Sequence, residues 1–241
     1  MNDIFAFRTA WVSHVGLARE LNEDCVLVKP EIGLWAVADG MGGHGGGDLA
    51  SRAVVEALTR VRPSKSARQM LDQFERAIVR VNSDLRALAS SRAAAVVGTT
   101  LVSLMIHESH YACAWCGDSR AYLRRDGALL RVSRDHSEVQ ELIDRGLLDD
   151  EDARRWPRRN VVTRALGASD QAELDLVDGP LYRGDRFLLC SDGLTAHLRD
   201  KEIAALIGFS APQRAVDELL QLALDRGAHD NVSLVVVDCE R

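Results

Sequence analysis

Six acidic residues sit at the ends of apolar runs rather than on solvated helix faces. Asp39 follows Leu34-Trp35-Ala36-Val37-Ala38, Asp118 follows Cys113-Ala114-Trp115-Cys116-Gly117, and Asp192 follows Phe187-Leu188-Leu189-Cys190-Ser191. Glu23 and Asp24 stand directly before Cys25-Val26-Leu27-Val28, and Asp230 with Asn231 precedes the β-branched run that starts at Val232. Unpaired charges at the edge of a core are costly, and carboxylates drawn together repel one another unless a cation neutralises them. Oxygen donors suit hard divalent ions, and no histidine and cysteine spacing typical of zinc is present. A lone Asp-Gly is ordinarily a turn, the reading for Asp126-Gly127 and Asp178-Gly179. For Asp39-Gly40 and Asp192-Gly193 the shared place after an apolar run leaves two readings open, turn or metal site.

The elements that must position these acids follow from hydrophobic periodicity. Strand-like runs cover 9–15, 25–28 and 34–38, and a glycine-rich turn runs from Gly40 to Gly47. Apolar residues then recur at helical spacing over 49–61 and 71–88, with a break at Arg62-Pro63-Ser64. The middle is rich in strands, at 99–107, 111–115 and 121–124, and Asp126-Gly127 turns the chain into 129–132. From about 133 to 180 the pattern weakens into an irregular flap with one helix near 138–145. A strand at 187–190, helices at 201–207 and 213–225 with Gly227 closing the second, and a last strand at 232–237 complete the chain. Strands cluster instead of alternating with helices, which predicts an α+β fold: a four-layer α-β-β-α sandwich of two antiparallel sheets flanked by helices.

Composition narrows the function classes. The chain has 241 residues, 46% of them hydrophobic, and no composition break divides it, so it reads as one domain. Thirty Lys and Arg against 36 Asp and Glu give a net charge of -6, which lacks the electrostatic footprint of a nucleic-acid binder. No apolar run approaches the roughly 20 residues that span a bilayer, and the first residues lack the pattern of a signal peptide. Five cysteines, an odd number without disulfide-scaffold spacing, suit a reducing, cytoplasmic setting with no membrane partner.

Beyond these patterns, eight ordered segments carry a resemblance. They are Gly16-Leu17-Ala18-Arg19-Glu20-Leu21-Asn22-Glu23-Asp24, Val37-Ala38-Asp39-Gly40-Met41-Gly42-Gly43-His44, Gly98-Thr99-Thr100, Gly117-Asp118-Ser119-Arg120, Ser133-Arg134-Asp135-His136-Ser137, Thr163-Arg164-Ala165-Leu166-Gly167, Cys190-Ser191-Asp192-Gly193-Leu194 and His229-Asp230-Asn231-Val232-Ser233. Together they resemble the metal-dependent serine/threonine protein phosphatases of type 2C in their bacterial form, over about residues 9 to 237. The resemblance implies the same layered sandwich. It implies that Asp39 bridges two metals, manganese or magnesium, with the Gly40 carbonyl on the second. Asp192 and Asp230 would bind the first metal. Glu23 would hold the second through water, supported by Asp24, and Asp118 with Asp192 would take a third, weaker ion. Arg19 would bind the phosphate, where a guanidinium fork engages two oxygens as lysine does not.

The chemistry so implied is hydrolysis of phosphoserine and phosphothreonine by a metal-bridging hydroxide, with no covalent phosphoenzyme. Met41 stands where many eukaryotic relatives carry a histidine general acid, and His44 is offset by three positions, so that role is not transferred. His14 replaces a common aspartate and, with His136 and His229, reads as structural. Cys113 and Cys116 spell C-x-x-C, but in a strand they face opposite sides, and all five cysteines read as core residues. The basic run Arg154-Arg155-Trp156-Pro157-Arg158-Arg159 reads as a solvated flap or as a patch that docks phosphorylated protein. The resemblance implies phosphoproteins as substrates, a cognate serine/threonine kinase or a forkhead-associated-domain protein as partner, and a monomer acting in bacterial signalling. Two alternatives stay open: a non-catalytic binding module on the same fold, and another two-metal hydrolase such as a phosphodiesterase.

Overall fold

The computed structural model describes residues 5–42, 45–91, 97–208 and 211–240; Gly43 and His44 lie outside them. Strands β1 (Ala6–His14), β2 (Asp24–Lys29) and β3 (Leu34–Met41) lead into helices α1 (Gly46–Thr59) and α2 (Ala67–Ser91). Then come β4 (Gly98–Thr99), β5 (Leu101–His107), β6 (His110–Cys116), β7 (Arg120–Arg125) and β8 (Ala128–Arg131). Short helices α3 (Glu138–Asp144) and α4 (Asp150–Arg155) precede β9 (Asp175–Pro180) and β10 (Arg186–Cys190). The chain finishes with α5 (Asp192–Thr195), α6 (Asp200–Leu206), α7 (Pro212–Asp225) and β11 (Val232–Glu240).

Two antiparallel sheets result, one ordered β1-β11-β10-β7-β8 and the other β2-β3-β5-β6-β9 with β4 added to β3. The period-two pattern explains the layers. In β3, Leu34, Ala36 and Ala38 pack toward α1 and α2, while Trp35 and Val37 point into the core between the sheets. In β11, Val235 and Val237 enter that same core, while Leu234 and Val236 pack under α5, α6 and α7. Strands covered on both faces read as nearly continuous apolar runs. The expected sandwich of two antiparallel sheets with helices outside is the fold observed.

Three features depart from the sequence reading. Asp178-Gly179 is no turn: it lies inside β9, an edge strand paired with β6, where Gly179 passes over the Tyr111 ring. Tertiary pairing overrides the local Asp-Gly signal, and the irregular stretch from 133 stops short of β9. Helices α4 and α5 were not apparent, being a single turn or little more; α4 is held by Asp149, whose carboxylate accepts from the backbone of Glu151 and Asp152. Cys25 is half-buried, whereas the other four cysteines are buried. Asp126-Gly127 does turn β7 into β8, both residues with positive φ. Cys113 enters the inter-sheet core and Cys116 the helix-facing one, on opposite sides of β6. No described helix is long and apolar enough to cross a membrane.

Candidate metal centre

Strand register brings the acids to one end of the sandwich. Asp24 opens β2 directly opposite Asp39 near the end of β3. β10 ends at Cys190, paired with Leu234 of β11 and Arg120 of β7. Asp192 therefore leaves the sheet beside Asp230, which precedes β11, and beside Asp118, which lies between β6 and β7. Two glycines let these segments touch. A Cβ on Gly193 would fall 1.9 Å from the Asn231 carbonyl oxygen, and one on Gly16 2.2 Å from that of Asp230.

Neutral polar residues clamp the acid-bearing backbone. The buried Asn231 side chain donates to the carbonyls of Val15 and Leu21 and accepts from the amide of Glu23, at 2.9, 2.9 and 2.8 Å. The Asp39 carbonyl accepts from Thr100 N and Thr99 Oγ1, both at 2.8 Å. Ser191 Oγ donates to Asp24 Oδ2 at 2.8 Å. His14 Nδ1 accepts from the Gly16 amide, and His136 Nδ1 from the Gly117 amide, so both histidines brace loops.

The carboxylates crowd one another. Burial, then the charges of Asp24, Asp192, Asp118 and Asp230, push the Asp39 carboxyl well above the usual range. Burial, then Asp192 and Asp135, raises Asp118 likewise. Asp192 is pushed up to about 6 by burial and then Asp230, although a hydrogen bond with Asp39 opposes the shift. Asp24 is pushed up to about 7 by burial, against hydrogen bonds from Ser233 and Ser191. Such shifts at a cleft mark groups that gain when a cation arrives.

Several observations test whether this set fits divalent ions. Asp24 Oδ1 is buried with no hydrogen-bond partner among the described residues. A Cβ on Gly47 would lie 2.7 Å from both Glu23 Oε1 and the Gly40 carbonyl oxygen, so the bare glycine leaves those two oxygens a shared space. The donors are all oxygens, as hard cations prefer. Among the described residues, however, no trio of His, Cys, Asp or Glu already stands as a closed cage. Asp230 is turned to Arg19, which donates to it from Nε and Nη2 at 3.0 and 2.8 Å. The set fits a hard divalent cation once Asp230 is free.

The structure thus gathers Glu23, Asp24, Asp39, Gly40, Asp118, Asp192 and Asp230 at one end and places Arg19 on their rim. Asn231, Ser191 and Thr100 were missed as supports. The only sequence signal for Asn231 was its place beside Asp230.

Comparison with known proteins places the chain among relatives. The family profile described as Protein phosphatase 2C matches residues 18–231. Serine/threonine protein phosphatase PstP of Mycobacterium tuberculosis is 35% identical over 232 residues, covering 96% of this chain and 45% of the relative, so the chain spans less than half of that protein. A structure of PppA, described as a key regulatory component of T6SS in Pseudomonas aeruginosa, shares 42% identity with a TM-score of 0.90, covering 97% of each chain. The PstP catalytic domain with two manganese ions superposes with a TM-score of 0.90 at 33% identity, covering 99% of this chain and 100% of that one.

Proposed function

The chain belongs to the protein phosphatase 2C family of metal-dependent serine/threonine phosphatases, in its bacterial form, and from that premise we propose that it hydrolyses phosphoserine and phosphothreonine in proteins at the carboxylate cluster around Asp39. The observation that carries this reading is the crowding of buried carboxylates about Asp39, with one oxygen of Asp24 left without a partner among the described residues. Asp39, Asp192, Asp230, Glu23 and the Gly40 carbonyl would hold two manganese or magnesium ions. Asp118 with Asp192 would hold a third, and Asp24 would support the second ion's water shell. Bound ions supply Lewis acidity, which acidifies water and neutralises charge on the phosphoryl oxygens.

The chain's own residues supply position. Arg19 offers its fork to two phosphate oxygens at the rim and orients the phosphorus over the cluster. Asn231 and Thr100 fix the backbones that carry Glu23, Asp230 and Asp39, so the charges are preorganised before substrate arrives. No cysteine serves as nucleophile in this scheme: burial pushes all five thiols up, those of Cys113, Cys116 and Cys190 to about 12, and the half-buried Cys25 and buried Cys239 above their ordinary value as well.

The 241 residues act as one phosphatase domain with a flap beginning near 133, working as a cytoplasmic monomer. The likeness to PppA favours phosphoproteins of a T6SS regulatory circuit, opposed by a serine/threonine kinase, with a forkhead-associated-domain protein as one candidate substrate. The test is hydrolysis of a phosphothreonine peptide by chelator-stripped protein. Turnover restored by manganese or magnesium supports the reading; turnover that ignores metal, or none under any metal, overturns it.

A further inference from the structure

A cleft of about 470 Å3 opens beside Asp118 and Asp192 and runs beneath α3 and α4 to the start of α6. Its charges divide unevenly. Apart from the two metal-centre aspartates, each acid in it already has a partner. Asp135 is held by Arg120 and Arg131, Glu151 by Arg155 and Arg199, and Asp200 accepts from Tyr122 Oη at 3.0 Å. Three cations in the same cleft, Arg154, Arg159 and Lys201, make no ion pair among the described residues. Within the basic run of 154–159, Arg155 is spent on Glu151 and Arg158 on Glu138, leaving Arg154 and Arg159 as the free pair. All three free cations are exposed, so they bind without a burial penalty.

We propose that this cleft is a substrate subsite in which Arg154, Arg159 and Lys201 receive carboxylate side chains flanking the phosphorylated residue, so that the enzyme prefers phosphopeptides with an acidic flank. The inference rests on the phosphatase reading and deepens it. A cleft continuous with Asp118 and Asp192 receives the chain on which the phosphate arrives. A protein of net charge -6 repels acidic peptides at long range, so local free cations are what reverse that repulsion. Exposed ion pairs are individually weak, and three acting together are worth roughly tenfold in kcat/KM at low salt.

The experiment compares a phosphothreonine peptide flanked by glutamates with its alanine counterpart, and both with p-nitrophenyl phosphate. Wild-type protein is set against the triple variant Arg154→Ala, Arg159→Ala, Lys201→Ala. The expected result is a roughly tenfold preference for the glutamate peptide, expressed in KM, that falls to near parity in the variant while p-nitrophenyl phosphate turnover holds. No preference in the wild type, or a preference that survives in the variant, overturns the subsite. Loss of p-nitrophenyl phosphate turnover in the variant also overturns it, since the cations would then serve the reacting centre. Turnover of no substrate by the wild-type protein defeats the phosphatase reading itself, and the subsite with it.

Discussion

The guanidinium of Arg19 grips the carboxylate of Asp230 through two hydrogen bonds, from Nε at 3.0 Å and from Nη2 at 2.8 Å. The pair joins a residue expected to bind phosphate to one expected to bind metal. The guanidinium holds the carboxylate that a metal cation would take, and both side chains remain substantially exposed, so the bond is weak enough to exchange. A divalent ion held by Asp230 would leave Arg19 free to turn toward a phosphate. Arg19→Lys, which keeps the charge but loses the fork, is expected to lower kcat/KM for a phosphopeptide about 10- to 100-fold. Calorimetric titration should find manganese binding at least as tight as in the wild type. Weaker manganese binding would assign Arg19 to the metal centre's architecture instead.

The raised carboxyls make a prediction about pH. Asp24 and Asp192, pushed up to about 7 and about 6, keep protons in the native state that the unfolded chain releases near pH 4. Their contribution to stability is full below the unfolded value and is lost as pH rises through the folded ones. Metal-free protein is therefore expected to melt lower at about pH 8 than at about pH 5, and manganese to raise the melting temperature more at the higher pH. Thermal melts in chelator and in manganese check this. A chelated protein that grows steadily more stable across that range contradicts it.

Asn231 locks the segment that carries Arg19 and Glu23 to the start of β11. Asn231→Ala removes three hydrogen bonds and leaves two carbonyls and an amide without that partner. The expected loss is about 3 kcal/mol. Urea unfolding measures it, and a change below about 1 kcal/mol would show that solvent replaces the clamp.

Gly47 separates the Glu23 carboxylate from the Gly40 carbonyl. A methyl there would stand 2.7 Å from oxygens of both. Gly47→Ala, whose methyl would collide with the Gly40 backbone and push the two segments apart, is expected to weaken manganese binding about 10- to 100-fold while the circular dichroism spectrum keeps its helix and sheet signals. Unchanged affinity would remove Glu23 and Gly40 from the site.

Much of this arrangement is legible in the sequence where local pattern and tertiary role coincide. The run before Asp39 alternates between two buried faces, so its strand is continuous and apolar, and the acid that ends it stands out. Asp118 and Asp192 are legible for the same reason. Asn231 and Ser191 are not, because a small neutral side chain carries no signal until its partners are known, and those of Asn231 lie 208 to 216 residues away. The Arg19 contact with Asp230 spans 211 residues and is equally hidden. Asp178-Gly179 misleads in the opposite sense: its local chemistry announces a turn, while pairing with Ala112 and Tyr111 holds it in β9. In the basic run 154–159, charge alone cannot separate Arg155 and Arg158, which are neutralised, from Arg154 and Arg159, which make no ion pair among the described residues.

Counting bound ions asks whether divalent cations hold the buried acids together. Manganese titration of chelator-stripped wild-type protein is expected to reach at least two ions per chain, as in the PstP structure, while Asp39→Asn keeps its fold and binds fewer. If the wild-type protein takes up no manganese, or Asp39→Asn binds as much as the wild type, the account is contradicted.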